Sequence, residues 1–225
     1  MTSIYEQVLG DDFGKLHPRI QQRFSFSSVD RIASIGRGVM DRIWYSKWAA
    51  LPLFVGASRN IMFPQGGEKV PFTIGNYAYL DSFGRETVTW CRKFKFPNAI
   101  RCFDATMIYS SKRQKIVDYL GTKQHLAVDL QMSVQDNGGI KIRSGEQRFY
   151  ERGIQFRFPS LFTGIAEVCE WFDDEEETYK ISVEVTNRIL GPVFRYNGRF
   201  QAQFEQVDAT SVPLDAMPLR EERRE

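Results

Sequence analysis

From about residue 69 to about residue 206, apolar side chains recur at every second position in one segment after another. A two-residue period is the signature of a β-strand with one buried face, so a fold for this chain must hide many such faces together. The clearest segment is Thr87 to Phe96. Val88, Trp90, Arg92, Phe94 and Phe96 share one face, and Thr87, Thr89, Cys91, Lys93 and Lys95 the other. The same alternation runs through Arg101 to Tyr109, Leu126 to Val134, Ile165 to Phe172, Tyr179 to Val185 and Tyr196 to Phe204. Asp136-Asn137-Gly138-Gly139 is a strong hairpin turn, and the acidic run Asp173 to Glu177 makes another.

The N-terminal third reads differently. Residues 3 to 24 are helical in pattern, with Ser3 and Glu6 spaced as a capping box and Pro18 placed to open a second short helix. A strand follows over residues 29 to 41, with Gly36 and Gly38 inside it. A helix is predicted from Arg42 to Val55, carrying Trp44, Trp48, Leu51 and Val55 as one stripe that Pro52 ends. The expected class is therefore mainly β (α+β), with residues 1–207 as a single β-rich domain and 208–225 as a disordered tail. Eight or more antiparallel strands must close or stack to hide their edges. An antiparallel β-barrel satisfies this, with N-terminal helices and one covering helix; a strongly curved sheet gripping a helix is the alternative.

Thirty basic residues against 28 acidic ones leave a net charge of +2, too weak to point to nucleic acid or a membrane surface. The most apolar stretch, Trp44 to Val55, is too short to span a bilayer. Cys91, Cys102 and Cys169 form no disulfide framework, which fits reduced thiols in a cytoplasmic protein, and the first residues lack the pattern of a signal peptide. With two histidines and no phosphate-cradle, nucleophile-elbow or metalloprotease motif, the residues call for neither cofactor nor metal.

Arg92 is the most informative residue, because it sits on an otherwise apolar, inward face. A buried guanidinium needs a carboxylate, carbonyls or an anionic ligand. Glu167 and Glu170 are candidate partners: they lie on opposite faces of one strand, yet both faces are otherwise apolar, so at least one should point inward. A Glu paired with an Arg would be scaffolding; a Glu buried alone would hold its proton more tightly and could act as an acid or base.

The opening Ile4-Tyr5 to Gly10, then Leu16-His17-Pro18, Gly36-Arg37-Gly38, Thr89-Trp90-Cys91-Arg92-Lys93-Phe94 and Gly191-Pro192-Val193-Phe194-Arg195-Tyr196-Asn197-Gly198-Arg199-Phe200 together carry a likeness. Over residues 4 to 206 the chain resembles bacterial domain-of-unknown-function family 4166. Chains of that kind stand alone or extend the C-terminus of reductase-like proteins related to saccharopine dehydrogenase. The resemblance thus implies a reductase-like protein partner but no catalytic residues, and it adds weight to Trp90, Arg92, Tyr196 and Arg199.

Three functions follow as expectations. The first is a binding module: an apolar or amphipathic anionic small molecule inside the barrel, its acid held by Arg92, with Trp90, Phe94 and Tyr196 around it and Glu167 or Glu170 beside it. The second is a structural or interaction protein using the Trp-bearing segment against a reductase-like enzyme. The third is an enzyme or enzyme subunit using a buried Glu and Arg.

Overall fold

Every strand pairing in the computed structural model is antiparallel. It describes residues 2–159, 163–207 and 212–225. The strands are β1 (Ile32–Tyr45), β2 (Gly67–Leu80), β3 (Glu86–Phe96), β4 (Ala99–Ser110), β5 (Lys115–Leu120), β6 (Leu126–Val134), β7 (Ile140–Glu151), β8 (Ile154–Arg157), β9 (Gly164–Asp173), β10 (Thr178–Asn187) and β11 (Gly191–Gln206). Their order is β6-β5-β4-β3-β2-β1-β11-β10-β9-β7-β8, and pairing of β6 with β7 closes ten of them into a barrel. β8 lies outside this ring as a hairpin arm on the end of β7. Closure settles the choice between barrel and open curved sheet, because it pairs the edges that an open sheet would leave bare.

The alternation places side chains as the sequence demands. Val88, Trp90, Arg92, Phe94 and Phe96 point inward and are buried. β10 and β11 send Tyr179, Ile181, Val183, Val185, Tyr196 and Phe200 to the same interior. Gly36 makes room for one of these rings: a Cβ there would run into Phe200 of the neighbouring β11 and Ile74 of β2. The β6–β7 turn holds Gly138 at φ +73°, which a glycine adopts without strain.

The barrel has two unlike ends. One is plugged by α1 (Ile4–Leu9) and α2 (Pro18–Phe24). Ser3 and Glu6 form the expected capping box, and the His17 ring accepts a hydrogen bond from Arg19 N to open α2. Ile4, Tyr5, Ile20 and Phe24 pack into the barrel mouth. Arg23 goes in with them, fully buried, donating from Nε to Glu170 Oε1 at 2.5 Å and from Nη1 to Ser34 Oγ at 2.6 Å. The Gly138 carbonyl accepts from His17 N, tying the β6–β7 turn to the plug.

At the other end the segment predicted as one helix from Arg42 to Val55 is divided. β1 runs on to Tyr45 because each residue through Tyr45 still finds a partner on β11, so Trp44 belongs to a strand. A 3₁₀ turn over Lys47–Ala49 leads into α3 (Ala50–Ala57). Pro52 lies in the first turn of α3, where its missing N–H is no loss, so it does not end the helix. The stripe does not cover the barrel: Leu53 is buried, whereas Trp48, Leu51 and Val55 face out.

β5 has no counterpart among the predicted strands. Residues 212–225, within the segment expected to be disordered, follow a defined path along the outer face of β3 to β7. Residues 208–211 of that segment lie outside the described residues. The Tyr119 hydroxyl donates to Arg224 O at 2.8 Å, the Tyr150 hydroxyl to Glu225 O at 3.0 Å, and Leu219 N to Thr122 O at 2.7 Å. Beneath this path lies a small apolar cluster of Ile108, Val117, Tyr119, Ala127 and Tyr150, which accounts for inward-type residues on an outward face.

Removing one member of a buried ion pair strands the other charge, at a cost of about 3–5 kcal/mol. Arg23→Met is expected to lower the urea midpoint sharply, and Arg23→Met with Glu170→Leu to recover most of the loss. Equal midpoints for wild type and Arg23→Met would show that the pair does not anchor the plug.

Candidate ligand-binding cavity

The inner volume is filled on one side only. Phe63, from the connection before β2, interlocks with Phe72 of β2, Phe94 of β3 and Phe194, Tyr196 and Phe200 of β11, with ring centroids 5.0–6.4 Å apart. The opposite side, faced by β4, β5, β6, β7, β9 and β10, has smaller side chains: Ala105, Val128, Ala166, Val168, Val183 and Val185. Between the two sides lies a cavity of about 110 Å³. Its wall is apolar apart from Arg92, Asp118, Ser144 and Gln147, with Trp90 and Phe103 beside the guanidinium.

Arg92 reaches it from the middle of β3. Nε donates to Phe103 O at 2.9 Å, Nη1 donates to the Tyr196 hydroxyl at 3.4 Å, and the guanidinium stacks 3.8 Å from the centre of the Phe103 ring. A guanidinium has five N–H donors, so among the described residues these bonds leave donors unused beside the cavity. Among the described residues no carboxylate lies within ion-pairing distance of Arg92. Its charge acts through space on Asp104, Asp118 and Glu170 and lies over the Trp90 and Phe103 rings.

Asp118 is the second charge-bearing group on the wall. In β5 it shares its face with Ile116 and Leu120, and its Oδ1 is buried with no hydrogen-bond partner among the described residues. Burial pushes its carboxyl up to about 7, against the pull of the Arg92 charge. The sequence reading passed over this residue because β5 is short. Ile116, Asp118 and Leu120 share one face, but Val117 and Tyr119 make the other face apolar too, so the alternation is weak.

The predicted site residues divide among four places. Arg92 and Trp90 line the cavity. Phe94 and Tyr196 lie in the packed aromatic half, where Tyr196 touches the site only through its bond from Arg92. Glu170 points inward but is bound to Arg23 at the plugged end; burial raises its pKa, with Arg23 opposing, and this is the scaffolding arrangement. Glu167 faces outward, paired with Lys141 at 2.7 Å. Arg199 also faces outward, toward Glu176. The thiols of Cys91, Cys102 and Cys169 are all pushed up by burial and lie off the cavity. Among the described residues no three His, Cys, Asp or Glu side chains gather as a metal site.

The cavity wall is thinnest at one seam. β7 pairs with β9 only from Ile140↔Glu170 to Arg143↔Glu167. A bulge then sets two residues of β7, Gly145 and Glu146, against Asp129 of β6, and β7 bends away to pair with β8. Across the gap, two side-chain bonds replace the ladder: Ala166 N donates to Ser144 Oγ at 2.7 Å, and Gln147 Nε2 to Gly164 O at 2.6 Å. Ser144 and Gln147 line both the cavity and a shallow depression outside it.

Comparison with known proteins gives the lineage. The model of a domain of unknown function, DUF4166, matches residues 16–200. The chain belongs to this family. An uncharacterised protein of Bacillus subtilis strain 168, YndH, is 33% identical over 204 residues, covering 90% of this chain and 98% of the relative. DUF4166 carries no activity in its description, so the cavity is the chemical lead.

In the folded protein the Asp118 carboxyl titrates about 3 pH units above its ordinary value of 3.8. Folding therefore takes up a proton between those values. The contribution of Asp118 favours the fold below about pH 4 and is lost as pH rises through 7. Asp118→Asn should remove that fall. The drop in urea midpoint from pH 5 to pH 8 is expected to be smaller in the variant than in wild type, by something on the order of a few kcal/mol in stability. Parallel profiles would show that Asp118 does not titrate in this range.

Proposed function

We propose that this protein is a binding module for a small, largely apolar carboxylic acid held inside the barrel. The observation that carries the reading is the pairing, on one apolar cavity wall, of a guanidinium and a carboxyl that among the described residues keep unused donors and an unpartnered oxygen. A carboxylate ligand would take up the spare donors of Arg92 and accept a hydrogen bond from protonated Asp118. Its apolar part would lie against Ala105, Val128, Ala166 and Val168. Size limits the choice. A dry cavity of about 150 Å³ accommodates a benzene ring, so a site of about 110 Å³ takes an acid of roughly four or five carbons, or the acid end of a longer molecule.

A native mass spectrum beside a denatured one would detect any acid that co-purifies. Titration with straight-chain acids from butyrate to octanoate, followed by Trp90-dependent fluorescence, would give affinities. Arg92→Gln is expected to weaken binding about tenfold or more. Ala105→Phe, which fills the cavity and leaves Arg92 in place, is expected to abolish it. Unchanged affinity in both variants would remove the cavity as the binding site.

A further inference from the structure

The two ends of the barrel differ in charge as well as in what fills them. At the end opposite the helical plug, the chain crosses between strands at 46–66, 97–98, 121–125, 152–153 and 188–190. These connections contain no aspartate or glutamate. They carry Lys47, Arg59, Lys123, Arg152 and Arg188, all exposed. The plugged end is richer in acids, with Asp11 and Asp12 beside the plug, Asp136, and the run Asp174 to Glu177, while Glu151 and Glu222 lie beside the 121–125 connection at the basic end.

More large apolar side chains stand in solvent at the basic end than at the plugged end, where Val29, Leu80 and Phe83 are exposed. On the 3₁₀ turn and α3, Trp48, Leu51, Phe54 and Val55 are exposed, Leu51 at 75% and Phe54 at 69%. Ile189 and Leu190 stand out on the β10–β11 turn, at 66% and 58%. Ile100 at the start of β4 and Ile154 at the start of β8 add two more. Exposed groups of this size, concentrated at one end, mark a contact surface. Trp48, Leu51, Phe54 and Val55 stand together on one connection with Lys47 and Arg59, and Ile189 and Leu190 on another with Arg188. A fluid, negatively charged lipid surface receives both kinds of group, the apolar ones among the acyl chains and the Lys and Arg heads among the phosphates.

We propose that this end of the barrel docks on an anionic lipid surface. Trp48, Leu51, Phe54, Val55, Ile189 and Leu190 enter the interface, while the basic connections hold the headgroups. The barrel wall itself stays in water, since its apolar side chains face inward. The proposal does not depend on what the cavity holds.

Co-sedimentation of the full chain with phosphatidylglycerol-containing vesicles, against vesicles of phosphatidylcholine alone, tests it. Wild type is expected to bind the anionic vesicles and not the neutral ones, with binding falling as salt rises. Leu51→Glu with Phe54→Glu, and separately Lys47→Glu with Arg59→Glu, should each reduce binding about tenfold or more. All four positions are solvent-exposed, and thermal unfolding would verify that the variants fold. Leu80→Glu, at the plugged end, should bind as wild type does. Failure of wild type to bind anionic vesicles would overturn the proposal. So would concentration-dependent self-association that Leu51→Glu with Phe54→Glu abolishes in the absence of vesicle binding, since a second copy of the chain would then cover this end.

Discussion

A closed ring of ten antiparallel strands encloses more space than a smaller barrel, whose interior its own side chains just fill. Much of this structure answers that constraint. Aromatic rings fill one half, where Phe72, Phe94, Tyr196 and Phe200 meet from β2, β3 and β11. Two short helices stopper one mouth. The remaining half, lined by alanine and valine along with methionine, leucine and isoleucine, keeps the unfilled volume. The cavity is thus a product of side-chain size around the ring, and a few larger residues at Ala105 or Ala166 would erase it without altering the fold.

The interior admits two arginines and treats them in opposite ways. Arg23 is bound by Glu170, Ser34 and Asn76, an arrangement that spends its hydrogen bonds on holding the plug. Arg92 receives a carbonyl, a weak contact from a hydroxyl and an aromatic face, with no close carboxylate. Its acidic neighbour Asp118 lies on the same wall, and burial favours the protonated form there. The first arginine is satisfied by the protein alone. The second has no close carboxylate among the described residues, and the proposed binding role rests on that contrast.

The period-two pattern was enough to read the barrel class, the inward position of Arg92 and Trp90, and the acidic and glycine-rich turns. It failed where the strand signal was short or ambiguous. β5 has six residues and its inward face includes an aspartate, so the alternation is weak and Asp118 escaped notice. Trp44 fell at a helical interval from Trp48, but hydrogen bonding to β11 outweighed that local spacing and kept it in β1. Glu167 and Glu170 could not be told apart by counting, since both faces of β9 are apolar. Net charge concealed the separation between the ends, because a sum of +2 carries no information about where the charges lie.

The placement of β1 between β2 and β11 also governs the order of assembly. β1 through β7 join successive neighbours by short-range pairings, except for the longer segment between β1 and β2, and can form as the chain leaves the ribosome. The second edge of β1 is different. Arg37 must wait for Gln201, and Gly36 for Ala202, near the far end of the sequence. Loop-closure entropy makes such distant contacts slow to form. During synthesis, therefore, one long strand carries an unpaired edge beside a hollow already lined with aromatic groups, and the nascent protein is most exposed to misassociation just before its last strand is released.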